Sequence, residues 1–253
     1  MILDFVAFLF GAVVGSFLNV CIYRLPQKES IVSPASHCRA CGAPIAWHDN
    51  IPLLSYLVLR GCCRSCGARF SFRYFLVELL TALLTAALVR RFGVGVPVLV
   101  HFVFTAALIV VTFIDLDHQI IPDVISLPGV VVGILCSFFA LTITPLSSLL
   151  GAGLGGGMLF LVAIAYRTIR GEEGMGMGDV KLLAMIGAFL GWRAILFALF
   201  VASFTGSAVG VAAMAWQRVG SRYPIPFGPF LSFGAFCHLF FGEEAIGWYF
   251  GLL

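Results

Sequence analysis

Two acidic stretches carry the residues of this sequence that could do chemistry. The first, DLDHQIIPD at residues 115–123, lies between apolar runs long enough to span a bilayer. The second, GMGMGDVK at residues 174–181, delivers one carboxylate to the start of an apolar helix. A carboxylate at membrane depth costs roughly 2.5 to 3.5 kcal/mol on insertion scales. Two such sites in one chain therefore predict a function for their carboxylates.

A carboxyl pair formed by Asp115 and Asp179 is suited to peptide hydrolysis. One ionised carboxylate activates water, and one protonated carboxyl donates to the scissile carbonyl or the leaving amine. The helix dipole favours Asp179, at a helix start, as the base and Asp115, at a helix end, as the acid. Asp117 and Asp123 compete for the upstream role, and Asp123 has the position of a helix N-cap. The alternative is that Asp179 is only an N-cap and Asp115 only an interfacial residue.

Four cysteines follow the spacing C-x2-C-x21-C-x2-C, which is typical of two zinc knuckles: Cys38, Cys41, Cys63 and Cys66. Four thiolates suit tetrahedral zinc, and a reducing compartment disfavours disulfides. Redox use or free thiols are the alternatives. Cys62 would give an x3 spacing, so Cys63 is preferred, while His37 and His48 are possible substitute ligands.

The elements that position these residues are membrane helices. The chain has 253 residues, of which 61% are hydrophobic and 11% charged, with a mean hydropathy of +1.06. Soluble domains are only roughly 45 to 50% apolar. We therefore predict an all-α polytopic membrane protein with about eight transmembrane helices and a small cytoplasmic zinc-knuckle loop domain. The predicted spans cover residues 3–23, 74–89, 94–114, 123–143, 146–166, 180–191, 194–216 and 229 to the end.

The basic residues set the predicted orientation. Most of the 15 Lys and Arg residues lie in loops on one side, which is therefore cytoplasmic, and Arg90, Arg91 and Arg193 lie on the other. The N-terminus is then outside, and both acidic stretches and the cysteine loop are cytoplasmic. The first apolar run lacks signal-peptide features and is the first span. Basic residues that flank spans give no support for nucleic-acid binding.

This organisation predicts three segments. Residues 1–23 form the first transmembrane helix, residues 24–73 the cytoplasmic cysteine-rich zinc loop, and residues 74–253 a membrane domain of about seven helices. Glu78 lies within a span and needs a partner, for which Arg24, Arg73 and Asn19 are candidates. The glycine cluster at residues 151–157 follows no strand, so it predicts close helix packing rather than a nucleotide loop.

Taken together, these motifs resemble those of the bacterial type IV prepilin peptidases, a family of GxGD intramembrane aspartyl proteases. The similarity covers nearly the whole chain: GSFLNV at 15–20, YRLP at 23–26, the cysteine knuckles, RY at 73–74, ELL at 78–80, and both acidic stretches. The resemblance implies that Asp115 and Asp179 are the catalytic pair. It also implies an inner-membrane enzyme that cuts type IV prepilins and type II secretion pseudopilins after a leader-terminal glycine.

Members with a long cysteine-bearing first loop are usually bifunctional. The resemblance therefore also implies N-methylation of the new N-terminal residue, with S-adenosylmethionine as methyl donor. Two other classes of function compete: a polytopic transporter with proton-coupling carboxylates, and a non-catalytic membrane assembly factor that docks a partner through its zinc knuckle. Carboxylates clustered on one membrane face disfavour the transporter. The sequence predicts no oligomeric state.

Overall fold

The computed structural model describes residues 1–171, 176–217 and 225–251. In this part of the chain the regular structure is helical, with one 3-10 turn at Trp47–Asn50 and two isolated β-bridges in the cysteine region, which confirms the all-α prediction. The α-helices are α1 Ile2–Arg24, α2 Leu54–Val58, α3 Phe72–Phe92, α4 Val96–His118, α5 Asp123–Cys136, α6 Pro145–Arg170, α7 Met177–Leu190, α8 Trp192–Gln217 and α9 Gly228–Gly251.

Eight of these helices, all except α2, correspond to the predicted spans. Five of them, α1, α3, α4, α6 and α8, are long and apolar enough to cross a membrane by themselves. Helices α5 and α7 have 14 residues each and reach about 21 Å, less than the roughly 30 Å of a hydrocarbon core. The predicted end of the fourth span near Ile143 is wrong. Helix α5 stops at Cys136, whose carbonyl oxygen accepts from the N–H groups of Ala140 and Leu141 in a turn.

The chain divides into two compact units, residues 1–110 and 111–253, with the division inside α4. In the first unit α1 packs along α3. A Cβ at Gly15 would lie 2.7 Å from the Cα of Glu78, and one at Gly11 would lie 2.8 Å from the Cα of Ala82. The two backbones can approach this closely because residues 11 and 15 of α1 are both glycine.

Helix α7 is the centre of the second unit and packs against α5, α6, α8 and α9. Its side chains Leu182, Leu183 and Met185 are fully buried. Helix α6 lies so close to α7 that a Cβ at Gly155 would be 2.6 Å from the Leu183 carbonyl oxygen. A Cβ at Gly151 would overlap the α7 backbone. The glycine cluster therefore packs helices, as predicted.

The basic residues that set the predicted orientation lie partly inside and partly outside the described residues. Arg90, which violates the positive-inside pattern, is paired: its Nε lies 3.1 Å from Asp4 Oδ1. Arg218 and Arg222 lie outside the described residues, as do Gly174 and the neighbouring methionine of the glycine-rich stretch.

Candidate active site

Asp115 lies in the last turn of α4, and its residue is only 5% exposed. The backbone N–H of Gly228 donates a hydrogen bond of 3.0 Å to Asp115 Oδ2. Gly228 is the first residue of α9, so a helix start points its free N–H groups toward this carboxylate. The predicted end of the span at Asp115 is wrong by about one turn, because α4 continues to His118.

Asp179 is the third residue of α7 and is half-buried. Gly176 occupies the N-cap position, so the alternative interpretation of Asp179 as the cap residue does not hold. The Asp179 carboxyl lies close enough to Asp115 for the two groups to interact electrostatically. Two residues 64 positions apart, one at a helix end and one at a helix start, thus meet at one place in the second unit.

Ile121 packs between the two helix starts that border this site. A Cβ at Gly178 would lie 2.9 Å from Ile121 Cβ. A Cβ at Gly228 would lie 3.2 Å from Ile121 Cδ1 and 2.6 Å from Asp115 Oδ2. Only residues without a side chain fit at positions 178 and 228, so the two glycines let α7 and α9 begin against the same isoleucine.

The two competing aspartates have different surroundings. Asp117 is exposed. Asp123 is the first residue of α5, with Pro122 in the cap position, so the predicted N-cap role of Asp123 is wrong by one residue. Asp123 Oδ1 instead accepts a hydrogen bond of 2.6 Å from Lys181 Nζ. This ion pair joins the start of α5 to the first turns of α7, two residues beyond Asp179.

The four predicted cysteine ligands come together in the first unit. The Sγ atoms of Cys38, Cys41, Cys63 and Cys66 all lie within 4.8 Å of one another. The Cys38 and Cys66 Sγ atoms are 3.8 Å apart. Tetrahedral coordination with Zn–S bonds of about 2.3 Å separates neighbouring sulfurs by about 3.8 Å. The donor set and its spacing therefore fit a tetrahedral metal such as zinc.

The two halves of the cluster have nearly the same backbone. The Gly42 N–H donates to the Cys38 carbonyl at 2.8 Å, and the Gly67 N–H donates to the Cys63 carbonyl at 2.9 Å. Both glycines have a φ of 71°, in the left-handed region that favours glycine. Cys62 lies beside the cluster, with its Sγ 3.6 Å from the Arg60 carbonyl oxygen. The structure thus places Cys63 rather than Cys62 with the other three cysteines.

The backbone of the first knuckle stabilises a thiolate. The N–H groups of Cys41 and Ala40 point to the Cys38 sulfur and lower the pKa of that thiol to about 6. The thiolate is the form of cysteine that binds a metal. His37 and His48 are outside the metal-type cluster that the described residues form, and His37 Nδ1 lies 3.0 Å from the Ala35 carbonyl oxygen instead.

Glu78 accepts hydrogen bonds from a backbone N–H and from a hydroxyl group. Its Oε2 accepts a hydrogen bond of 2.7 Å from the Leu53 N–H, and Ser16 donates a second bond. Of the predicted partners, Asn19 Nδ2 donates to the Tyr74 carbonyl at 3.0 Å. Arg24 donates to the carbonyl oxygens of Ser30 and Pro34 at 2.9 and 2.7 Å. Glu78 therefore ties α1 and α3 to the segment between the two knuckles.

The sequence predicted no role at the aspartate site for three residues that the structure places there: Gly228, Ile121 and Lys181. For Gly228 a local signal exists, because it stands between Phe227 and Pro229 at the start of an apolar run. Proline is over-represented at the first turn of helices. The run therefore marks a helix start, although it does not reveal which carboxylate that start meets.

The fold and the site together define a polytopic helical membrane protein in which helix ends bring two aspartates together. Residues 9–92 match the Bacterial Peptidase A24 N-terminal domain, and residues 102–211 match the Type IV leader peptidase family. The chain belongs to the type IV leader peptidase family.

Relatives with closely similar sequences agree with this assignment. The chain is 38% identical over 266 residues to a prepilin leader peptidase/N-methyltransferase of Aeromonas hydrophila, with 96% of this chain and 92% of the relative covered. A protein of the same description from Pseudomonas aeruginosa is 37% identical over 259 residues, with 93% and 89% covered. No solved structure matches the chain.

Proposed function

We propose that this chain cleaves the leader peptide of type IV prepilins and type II secretion pseudopilins after a glycine, with Asp115 and Asp179 as the catalytic pair. The observation that carries the proposal is that Gly178, next to Asp179, and Gly228, which is bonded to Asp115, pack against the same Ile121, with the two carboxyl groups within electrostatic range of each other. Family membership and relatives named as prepilin leader peptidase/N-methyltransferases support the choice of substrate.

The hydrogen bonds around the pair suggest which carboxyl is the base. The Gly228 N–H stabilises negative charge on Asp115, and two neighbouring carboxylates resist ionising together. Asp115 is then the base that takes a proton from water, and Asp179 donates a proton to the scissile carbonyl oxygen. As the tetrahedral intermediate collapses, Asp115 gives the proton it took from water to the leaving amine, and Asp179 regains its proton from the hydroxyl that becomes the new carbonyl. This assignment reverses the one based on helix dipoles, because α9 was not expected at Asp115, and the pair titrates as a unit.

The backbone before Asp179 suits an extended substrate. A Cβ at Gly176 would lie 3.8 Å from Asp179 Oδ2, so the glycine leaves space beside the carboxyl. A main chain without Cβ atoms lets a second main chain approach closely. The peptide bond that follows the leader-terminal glycine enters this space in the proposed complex.

The cysteine cluster is proposed to hold one structural zinc through Cys38, Cys41, Cys63 and Cys66. Zinc in such a site supplies folding free energy to the loop that holds it. In this proposal residues 24–73 form a zinc loop between the first transmembrane helix, residues 1–23, and the membrane protease domain, residues 74–253. The zinc takes no part in peptide cleavage, since the two aspartates supply both proton transfers.

N-methylation of the new N-terminal residue with S-adenosylmethionine is the second proposed activity. It rests on the names of the relatives. Gly151 and Gly155 are not assigned to the methyl donor, because they pack α6 against α7. No residue is assigned to the methyl donor.

The proposed location is the bacterial inner membrane, with several passes. Five helices of the described part of the chain are long and apolar enough to cross it. The excess of Lys and Arg on one side supports the proposed orientation, with the aspartates and the cysteine loop in the cytoplasm and the N-terminus outside. The implied partners are lipids and pilin precursors.

Purified protein incubated with a prepilin, with and without S-adenosylmethionine, tests both activities by mass spectrometry. We expect loss of the leader in both reactions and a gain of one methyl group only with the donor. An intact prepilin, with a correctly folded enzyme, contradicts the peptidase proposal. Loss of the leader without methylation contradicts only the second activity.

A further inference from the structure

The segment between the two cysteine pairs exposes an apolar surface. Leu54, Leu57 and Val58, all on α2, are 59%, 60% and 75% exposed. Ile51, just before α2, is 40% exposed. We call the surface formed by these four residues the α2 face. Neither peptide cleavage nor metal binding explains large exposed apolar side chains on a short helix outside the predicted spans. The α2 face is therefore expected to contact another apolar surface.

Two sets of contacts fix α2 beside the start of α3. The Leu53 N–H donates to Glu78 Oε2 at 2.7 Å. The ring of Tyr56 lies 6.2 Å from the Phe72 ring and 5.6 Å from the Phe75 ring, measured between centroids. These contacts hold both the residue before α2 and its centre against the first two turns of α3.

The position of Glu78 sets the depth of α2. Glu78 is the seventh residue of α3, so its Cα lies about 9 Å along the helix from Phe72. Side chains of a helix lean toward its N-terminus, which places the Glu78 carboxylate and the bonded Leu53 level with the first turns of α3. These turns belong to an apolar helix long enough to cross a membrane.

The exposed side of α3 continues the α2 face. Phe72 and Leu76, one helical turn apart, are 60% and 41% exposed. On a membrane-crossing helix such a stripe faces lipid. Tyr56, on α2, contacts the Phe72 ring, so the two apolar surfaces meet at the level where the span begins.

We propose that α2 is an interfacial helix, which lies in the bilayer surface with its exposed face against lipid. Helices of this kind bury their apolar face about 5 to 10 Å into the boundary between headgroups and acyl chains. Trp47, which is 81% exposed, and Arg60 flank α2, and tryptophan and arginine are residue types favoured at that boundary. The membrane face concerned is the one where α1 ends and α3 begins.

The consequence is a fixed height for the cysteine cluster. The two cysteine pairs lie on either side of α2 in the sequence, at Cys38 and Cys41 before it and at Cys63 and Cys66 after it. Because α2 lies between the two pairs, its binding to the bilayer surface keeps the middle of the cysteine loop at the membrane. The cysteine cluster then stays next to the membrane.

Tryptophan fluorescence in lipid bilayers tests this proposal. The full chain, with its four native tryptophans replaced by phenylalanine, receives Leu57→Trp and is reconstituted into phosphatidylcholine–phosphatidylglycerol nanodiscs with or without brominated acyl chains. Ser65→Trp, at the exposed turn of the second knuckle, is the matched control. Val58→Trp replaces Leu57→Trp if that variant does not elute as a folded monodisperse protein.

We expect blue-shifted emission from Leu57→Trp, strong quenching by the brominated lipid and protection from aqueous acrylamide. Ser65→Trp should show the opposite pattern. Acrylamide quenching of both variants, with no effect of brominated lipid, would overturn the proposal. Protection of Leu57→Trp from both quenchers would also overturn it, because protein rather than lipid would then cover α2. Neither readout depends on peptidase activity.

Discussion

The backbone N–H of Gly228 lies 3.0 Å from Asp115 Oδ2, so the first residue of α9 is hydrogen-bonded to the last turn of α4. Hydrogen bonds to charged groups contribute about 1.5 to 3 kcal/mol. Through this bond α9 joins the helices that carry the two aspartates. Asp115 is held in orientation by a backbone group rather than by a side chain.

Replacement of Gly228 by alanine should therefore displace Asp115. The new Cβ would lie 2.6 Å from Asp115 Oδ2, which is closer than atoms can pack without movement. A shift of about 1 Å in a reacting group can cost about 100-fold in rate. We expect Gly228→Ala to lower kcat/KM for prepilin cleavage by about that factor.

Gly247→Ala is the matched control for this substitution. It lies in the same helix, and no atom lies within 4 Å of the Cβ position. Cleavage by this variant should be unchanged. If both variants cleave at the wild-type rate, Gly228 does not position Asp115.

The contact between α6 and α7 gives a prediction about stability. A Cβ at Gly151 would overlap the Gly187 backbone, whereas one at Gly153, also in α6, would meet nothing within 4 Å. Overpacking costs about 1 to 3 kcal/mol. Gly151→Ala should lower the free energy of unfolding by this amount and Gly153→Ala should not, as measured by thermal unfolding in detergent. Equal stability of the two variants would contradict the close packing of α6 on α7.

The cysteine cluster gives a prediction about metal content. Purified protein should contain about one zinc per chain, because four thiolates complete a structural zinc site. Cys38→Ser removes one of the four, so elemental analysis should show most of the zinc lost. Cys62→Ser, next to the cluster, should retain it. Loss of zinc from Cys62→Ser alone would mean that Cys62, rather than a cysteine of the proposed set, binds the metal.

The helices and the two aspartates could be predicted from the sequence because both depend on local patterns. Apolar runs mark the spans, and a carboxylate after a glycine-rich turn marks the start of α7. The meeting of Asp115 with Asp179 required only that both lie on one membrane face, since helix ends on one face of a bundle are neighbours.

The rest of the site depends on contacts between distant segments. Nothing near Gly228 in the sequence reveals that its N–H bonds to Asp115, and the roles that we propose for the two aspartates rest on this bond. The partner of Glu78 was expected among Arg24, Arg73 and Asn19, yet the backbone N–H of Leu53 in the loop also donates to it. In both cases the hydrogen-bond donor is a main-chain N–H. Because nearly every residue type carries this group, the sequence does not indicate which one will donate.

The most direct test of the account compares four substitutions in a prepilin cleavage assay: Asp115→Asn, Asp179→Asn, Asp117→Asn and Asp123→Asn. Each of the first two removes a group that transfers a proton, so each should lower kcat/KM by at least about 100-fold while the protein still inserts into the membrane. Asp117 is exposed, and the Asp123–Lys181 ion pair contributes at most about 1 kcal/mol, so Asp117→Asn and Asp123→Asn should stay within about fivefold of wild type. Prepilin processing that survives Asp115→Asn or Asp179→Asn would contradict the central claim that these two aspartates form the catalytic pair.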